Sequence, residues 1–121
     1  MTYRFENLEV WKLARQFVHV IYTISKDFPQ QEQFGMTSQI RRVALSILLN
    51  ITEGSDRKSD VEFIRFLRIA YTSMEEVIAA SYIALDQHYI TQERFDFIYE
   101  KSNTVGKKIN ALINYLKKQT T

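Results

Sequence analysis

Apolar residues recur along this chain at intervals of three and four, the repeat that lines one side of an α-helix. Val10, Ala14, Phe17, Ile21, Ile24 and Phe28 make the first stripe, and Trp11, Leu13, Val18 and Tyr22 widen it. Asn7 is placed to cap this helix, and Phe28-Pro29 to stop it, because proline lacks an N–H and pushes the residue before it out of the helical region. Thr37 can cap a second helix with Ile40, Val43, Ile47 and Ile51 inward and Gly54 as a left-handed C-cap. Ser59-Asp60-Val61-Glu62 is a capping-box pattern opening a third, which carries Phe63, Phe66, Leu67, Ala70, Met74, Val77, Ser81 and Leu85. The fourth follows Thr91, with Phe95, Ile98, Ser102, Val105, Ile109, Leu112 and Leu116 close to heptad spacing. With only three glycines and one proline the connections are short, so consecutive helices must run antiparallel. The expected fold is all-α: one up-down-up-down four-helix bundle over residues 1–121, its helices crossing at roughly 20°.

The second helix departs from a stripe with one wet face. Leu45, Leu48 and Leu49 project away from the inward stripe, and Ile64 and Ile69 do the same on the third helix. Contiguous apolar surface on a water-soluble bundle points to self-association, so these leucines are candidates for a contact between copies. The other reading tucks them under the flanking loops or the aromatic N-terminal arm, Tyr3 and Phe5. A polar stripe lies between the apolar ones: Gln39, Arg42, Ser46, Asn50 and Glu53, answered on the third helix by Arg65, Arg68, Thr72 and Glu75 or Glu76. Ser46 and Asn50 are poor helix formers, and they fit a helix interior if they bond across a helix pair or to the backbone of the following turn. A structural seam accounts for them better than a reactive site.

Composition narrows the function. At 121 residues and 45% hydrophobic the chain supports one core, and its lack of cysteine fits a reducing compartment, the cytoplasm. Its start, MTYRFENLEV, has no apolar leader, and no window approaches a membrane span. Sixteen Lys and Arg against fourteen Asp and Glu leave a net charge of +2, too small to announce a nucleic-acid binder. Distribution matters more. Lys101, Lys107, Lys108, Lys117 and Lys118 form an acid-free run that suits a helix C-terminus, while Arg41/Arg42, Arg57/Lys58 and Arg65/Arg68 come in pairs. His19 and His88 are the only imidazoles and belong to no metal motif. The acidic pairs Glu6/Glu9 and Glu93/Asp96 sit at helix starts, where carboxylates complement the dipole. Gly54-Ser55-Asp56-Arg57-Lys58-Ser59 is no phosphate loop. No catalytic residue, metal site or cofactor is therefore expected, and the chain is not read as an enzyme.

Phe5-Glu-Asn-Leu-Glu-Val-Trp11, Phe28-Pro29 with Glu32, Gln39-Ile-Arg-Arg42, Ser46-Ile47, Asn50-Ile51, Glu53-Gly54, Arg57, Glu62-Phe63, Phe66-Leu67, Ile69-Ala70, Ser73 and Glu76 together resemble a known family. It comprises four-helix bundle proteins encoded within intervening sequences of bacterial 23S ribosomal RNA genes, which are similar in fold to the accessory variability proteins of diversity-generating retroelements. The match runs over nearly the whole chain; Thr52, Tyr71 and Met74 depart from the usual Ala, Gly and Leu. The resemblance implies a ring-like homopentamer with positive charge available to nucleic acid, and no established activity. Carried over, it makes Arg41, Arg42, Arg57, Lys58, Arg65 and Arg68 candidates for phosphate contacts. Gln39, Ser46, Asn50, Glu53, Ser73 and Glu76 become candidates for a structural polar seam or subunit interface. Two readings follow. In one, an oligomer of this chain binds RNA or DNA backbone without base specificity, with no membrane role. In the other it is a structural or protein-interaction module whose arginines pair with Glu53, Asp56, Asp60, Glu62 or Glu76.

Overall fold

Four helices carry the structure: α1 (Glu9–Ser25), α2 (Met36–Ser55), α3 (Asp60–Asp86) and α4 (Gln92–Thr120). They are seen in a computed structural model that describes residues 2–120, with side chains from 2 to 119. Single turns of 3-10 helix, Arg4–Asn7 and Gln30–Glu32, precede α1 and α2. Packing is cyclic: α1 touches α2 and α4, α3 touches the same two, and the diagonals do not meet. Cross-helix contacts fix each direction. Trp11 reaches Thr52, Ser46 meets Ser73, Tyr82 packs on Phe95 and Glu9 pairs with Lys108, so every sequential pair is antiparallel.

The inward stripes build one core. Phe17 and Ile21, Ile40, Ile47 and Ile51, Phe63, Leu67 and Val77, and Ile98, Val105 and Ile109 are sealed from solvent. Two positions near the far ends of the long helices shift. Ala84 is buried where Leu85 is expected, and Ile113 joins the core while Leu112 is half-buried. An α-helix drifts about 20° per heptad against a 3.5-residue pattern, so an extrapolated stripe slips by one residue over a few turns.

The helix ends depart further from expectation. Asn7 caps nothing: it closes the first 3-10 turn, and Leu8 occupies the N-cap of α1. That turn is held by its own contacts. Glu6 accepts the Tyr3 N–H at 2.8 Å, and Phe5 packs on Trp11 with ring centroids 4.8 Å apart. Helix α1 ends at Ser25, short of Phe28-Pro29, as Lys26, Asp27 and Phe28 donate to carbonyls three residues back. Thr37 is not the cap of α2 either; it lies buried in the first turn. Glu32, four residues upstream of Met36, accepts the Met36 N–H at 3.1 Å, and its other oxygen accepts the Tyr89 hydroxyl at 2.8 Å. The bond to Glu32 needs the phenol's proton, which raises Tyr89 above its ordinary value.

Gly54 is not a left-handed cap, since no glycine has positive φ and α2 runs on to Ser55. Its role is close approach. A Cβ there would stand 2.7 Å from Phe66 Cβ and 3.0 Å from Phe63 Cδ1, so the missing side chain lets α2 and α3 meet. Ser59 does cap α3, accepting the Glu62 N–H at 3.1 Å, while the Glu62 carboxylate turns to Arg65 instead of back to the cap. Thr91 likewise accepts the Arg94 N–H at 3.2 Å. Helix α3 ends in a Schellman motif: Tyr89 N–H returns to the Ala84 carbonyl at 2.8 Å, with His88 at φ 63° in the position that glycine usually fills. No helix among the described residues is long and apolar enough to cross a membrane.

Candidate nucleic-acid interface

Most of the arginines that the sequence nominates are engaged inside the molecule. Arg41 is half-buried on α2, donating from Nε to Ser25 Oγ at 2.8 Å and from Nη2 to the Tyr22 carbonyl at 3.3 Å. It thereby satisfies the exposed carbonyl end of α1, which favours a cation. Arg57 pairs with Glu53 at 2.7 Å and Arg65 with Glu62 at 3.0 Å, and both guanidiniums lie within 5 Å of the Phe66 ring centre. The hydrogen bond and charge of Arg65 hold the Glu62 carboxyl below the usual carboxylate range, and Glu62 in turn raises Arg65. Arg42 donates to Gln39 at 2.7 Å on the surface. Lys58 and Arg68 are exposed, with no ion pair among the described residues.

The polar stripe divides. Ser46 Oγ and Ser73 Oγ lie 3.0 Å apart across α2 and α3, and Asn50 donates to the Ser46 carbonyl at 2.8 Å and to its hydroxyl at 3.0 Å. These three form a connected seam between the helices. Glu53, Gln39 and Glu76 lie outside it on the exposed surface, Glu76 without an ion pair among the described residues. The leucines divide too: Leu48 packs half-buried against the core, Leu45 is half-buried, and Leu49 is 53% exposed. Ile69 on α3 remains 38% exposed. The N-terminal arm reaches α2 through Arg4, whose Nη1 donates to the Ser55 carbonyl at 2.9 Å, and it leaves Leu49 uncovered.

A different set of cations is freer. Between Glu9 and Asp27 the chain has no acid, and Lys12, Arg15 and His19 fall on the outward side of α1 around a shallow depression. Helix α4 packs against α1, with Glu9–Lys108 at 3.3 Å near one end and Asp27–Arg94 near the other, a register that brings Lys101 level with the middle of α1. Lys108 and Arg94 of α4 are therefore both held by carboxylates at the α1–α4 seam. On the other flank of α4 Arg68 and Lys117 come together at a cleft between α3 and α4 that no acid lines. Cations are thus gathered without acids in two places, Lys12 with Arg15 on the outer side of α1 and Arg68 with Lys117 at the α3–α4 seam, while Lys108 between α1 and α4 is held by Glu9. Acids stand at both ends of the bundle, Asp27, Glu32, Asp86, Glu93 and Asp96 at one and Glu6, Glu9, Glu53, Asp56, Asp60 and Glu62 at the end where α4 finishes. On sequence grounds the α4 lysines read as helix-end complement, and nothing singles out α1. The signal is present in the two long acid-free stretches, whose adjacency is a tertiary fact. Among the described residues no three His, Asp or Glu side chains gather as a metal site.

Comparison with known proteins agrees with this architecture. A family model described as 23S rRNA-intervening sequence protein matches residues 6–111. Among solved structures, the chain is similar to a protein of unknown function from the S23 ribosomal protein family of Bacteroides thetaiotaomicron VPI-5482. The TM-score is 0.79 at 28% identity, over 86% of this chain and 97% of that one. No curated protein matches.

Proposed function

Since this chain belongs to the 23S rRNA-intervening sequence protein family, we propose that it is a non-catalytic, self-associating protein that binds nucleic-acid backbone without base specificity. The observation that carries this reading is the convergence of Arg68 and Lys117 in a cleft that no acid lines, with Lys12 and Arg15 gathered likewise on α1. Phosphate binding needs several cations converging on one face, released from carboxylate partners, and a net charge of +2 suffices when its excess is gathered in this way. Arg57 and Arg65 serve the α2–α3 turn instead, each with its own glutamate. Self-association rests on Leu49 and Ile69, which remain open on adjoining outer faces of α2 and α3. A closed ring of five, as the family resemblance implies, would repeat these cationic patches around its circumference and multiply a weak interaction.

The test is a salt titration of binding to generic RNA and DNA. Replacing Lys12, Arg15, Lys107 and Lys117 with Gln in pairs should weaken binding to all sequences alike and flatten the salt slope by about one unit for each cation that had neutralised a phosphate. Arg57→Gln should leave the slope unchanged. Light scattering should find the wild type oligomeric and Leu49→Asp smaller, with helicity retained. A wild type that binds neither RNA nor DNA at low salt refutes the nucleic-acid reading.

A further inference from the structure

Two clefts between α3 and α4 follow one another along this seam and meet at Tyr71, whose ring divides the groove they form. At one end, in a space of about 570 Å³, Arg68 and Lys117 converge beside the side-chain amides of Asn110 and Asn114. At the other, in about 390 Å³, stand Tyr82 and Tyr99. Both tyrosines are close to half-exposed, and both are braced from behind by Phe95, with ring centroids 4.6 and 5.9 Å away. Between the two clefts Gly106 lets Met74 and the Tyr71 ring settle on α4, a Cβ there meeting Met74 Cε at 2.8 Å and Tyr71 Cε2 at 3.4 Å.

We propose that this groove binds a single strand of nucleic acid, with phosphates at Arg68 and Lys117 and bases against Tyr82 and Tyr99. The inference rests on the nucleic-acid reading above and adds to it the substrate class and the site. Cations that follow a backbone, joined to aromatic faces on which unpaired bases stack, are the combination that single strands require, and a duplex hides its base faces from such a platform. The asparagine amides offer both donors and acceptors, which suits base edges as well as phosphate oxygens. Glu75 is the one acid on the groove among the described residues and lies on the tyrosine side, where bases would pass; there it can accept from base amino groups while repelling phosphate. Between Tyr99 and Lys117 α4 rises about 27 Å, enough for the short end of the roughly 4–16-nucleotide footprints of single-strand binders.

The experiment measures fluorescence anisotropy of the full chain with a labelled oligouridine and a labelled RNA hairpin whose two strands are joined by a non-nucleotide linker, so that it carries no unpaired base, titrated with salt. Tyr99→Ala should weaken oligouridine binding at least about fivefold and leave the hairpin unchanged, and Tyr99→Phe, which keeps the ring face, should bind as the wild type does. Arg68→Gln with Lys117→Gln should flatten the oligouridine salt slope by about 1.4 units, from two phosphates at roughly 0.7 each. Oligouridine binding indifferent to Tyr99→Ala, or falling equally with the hairpin's, overturns this inference and leaves the broader reading standing. A change of oligomer mass in Tyr99→Ala would assign the groove to an interface between copies and overturn it as well. Absence of binding to either probe at low salt overturns both.

Discussion

Gly54→Ala should destabilise the bundle even though alanine is the better helix former. Inside an exposed helix the exchange gains about 1 kcal/mol, because glycine loses more backbone freedom on folding. Gly54 is not exposed: the added methyl would lie 2.7 Å from Phe66 Cβ and 3.0 Å from Phe63 Cδ1. Carbon atoms in contact prefer about 3.5–4.0 Å, and Phe66 Cβ is fixed to the α3 backbone, so relief requires α2 and α3 to separate by close to 1 Å. Such a separation would also lengthen the 3.0 Å Ser46–Ser73 bond further along the seam. Overpacking of this kind costs about 1–3 kcal/mol, which outweighs the propensity gain and leaves a net loss of about 1 kcal/mol, or about 4 °C in Tm for a domain of this size. Gly106→Ala provides the contrast. Its methyl would meet Met74 Cε at 2.8 Å, the far end of a flexible side chain that can swing aside, so the propensity term should win and stability rise by up to about 1 kcal/mol. Urea denaturation followed by far-UV circular dichroism, at matched protein concentration because self-association shifts apparent stability, reads both signs. A Gly54→Ala protein as stable as Gly106→Ala would refute the idea that close approach selects this glycine.

Two further outcomes follow from the helix ends. His88→Gly should raise stability by about 0.5–1 kcal/mol, measured in the same denaturation assay, because it removes the left-handed strain at φ 63° while keeping the Tyr89-to-Ala84 bond. Glu62 has its folded-state pKa lowered, chiefly by the hydrogen bond from Arg65, so its contribution is present above the ordinary carboxylate range and lost as pH falls through the lowered value. Melts of the wild type and Glu62→Gln should therefore differ at neutral pH and converge in acid; a constant gap at all pH values would contradict the pairing.

The family-level architecture is written in the chain itself. Stripes at three and four, ended by few breakers, determine that helices form and which side of each faces inward, because both depend on residues within a few turns of one another. Ser59 and Thr91 are legible as caps for the same reason: donor and acceptor are three residues apart. What the sequence misplaces are ends closed through space. Arg41 closes α1 from α2 and Arg4 takes the last carbonyl of α2, across separations of 19 and 51 residues, and Glu32, which caps α2 from four residues upstream, is itself held by Tyr89, 57 residues away. Gly54 reads as a C-cap on local grounds, and only the approach of α3 reveals its purpose.

The candidate site divides along the same line. The acid-free stretches of α1 and α4 and the paired arginines are visible as letters, and so is the stripe that holds Ser46 and Asn50. Whether a given cation is free depends on which carboxylate the fold brings to it, and that is set by helix rotation and register. Arg57 and Arg65 find partners within one turn, so their engagement is open to a local reading. The pairing of Lys108 with Glu9, and the meeting of Arg68 with Lys117, arise only when helices distant in the chain pack side by side. Periodicity is a short-range property and charge convergence a long-range one, so the sequence determined the bundle and tertiary packing decided where its free charge lies.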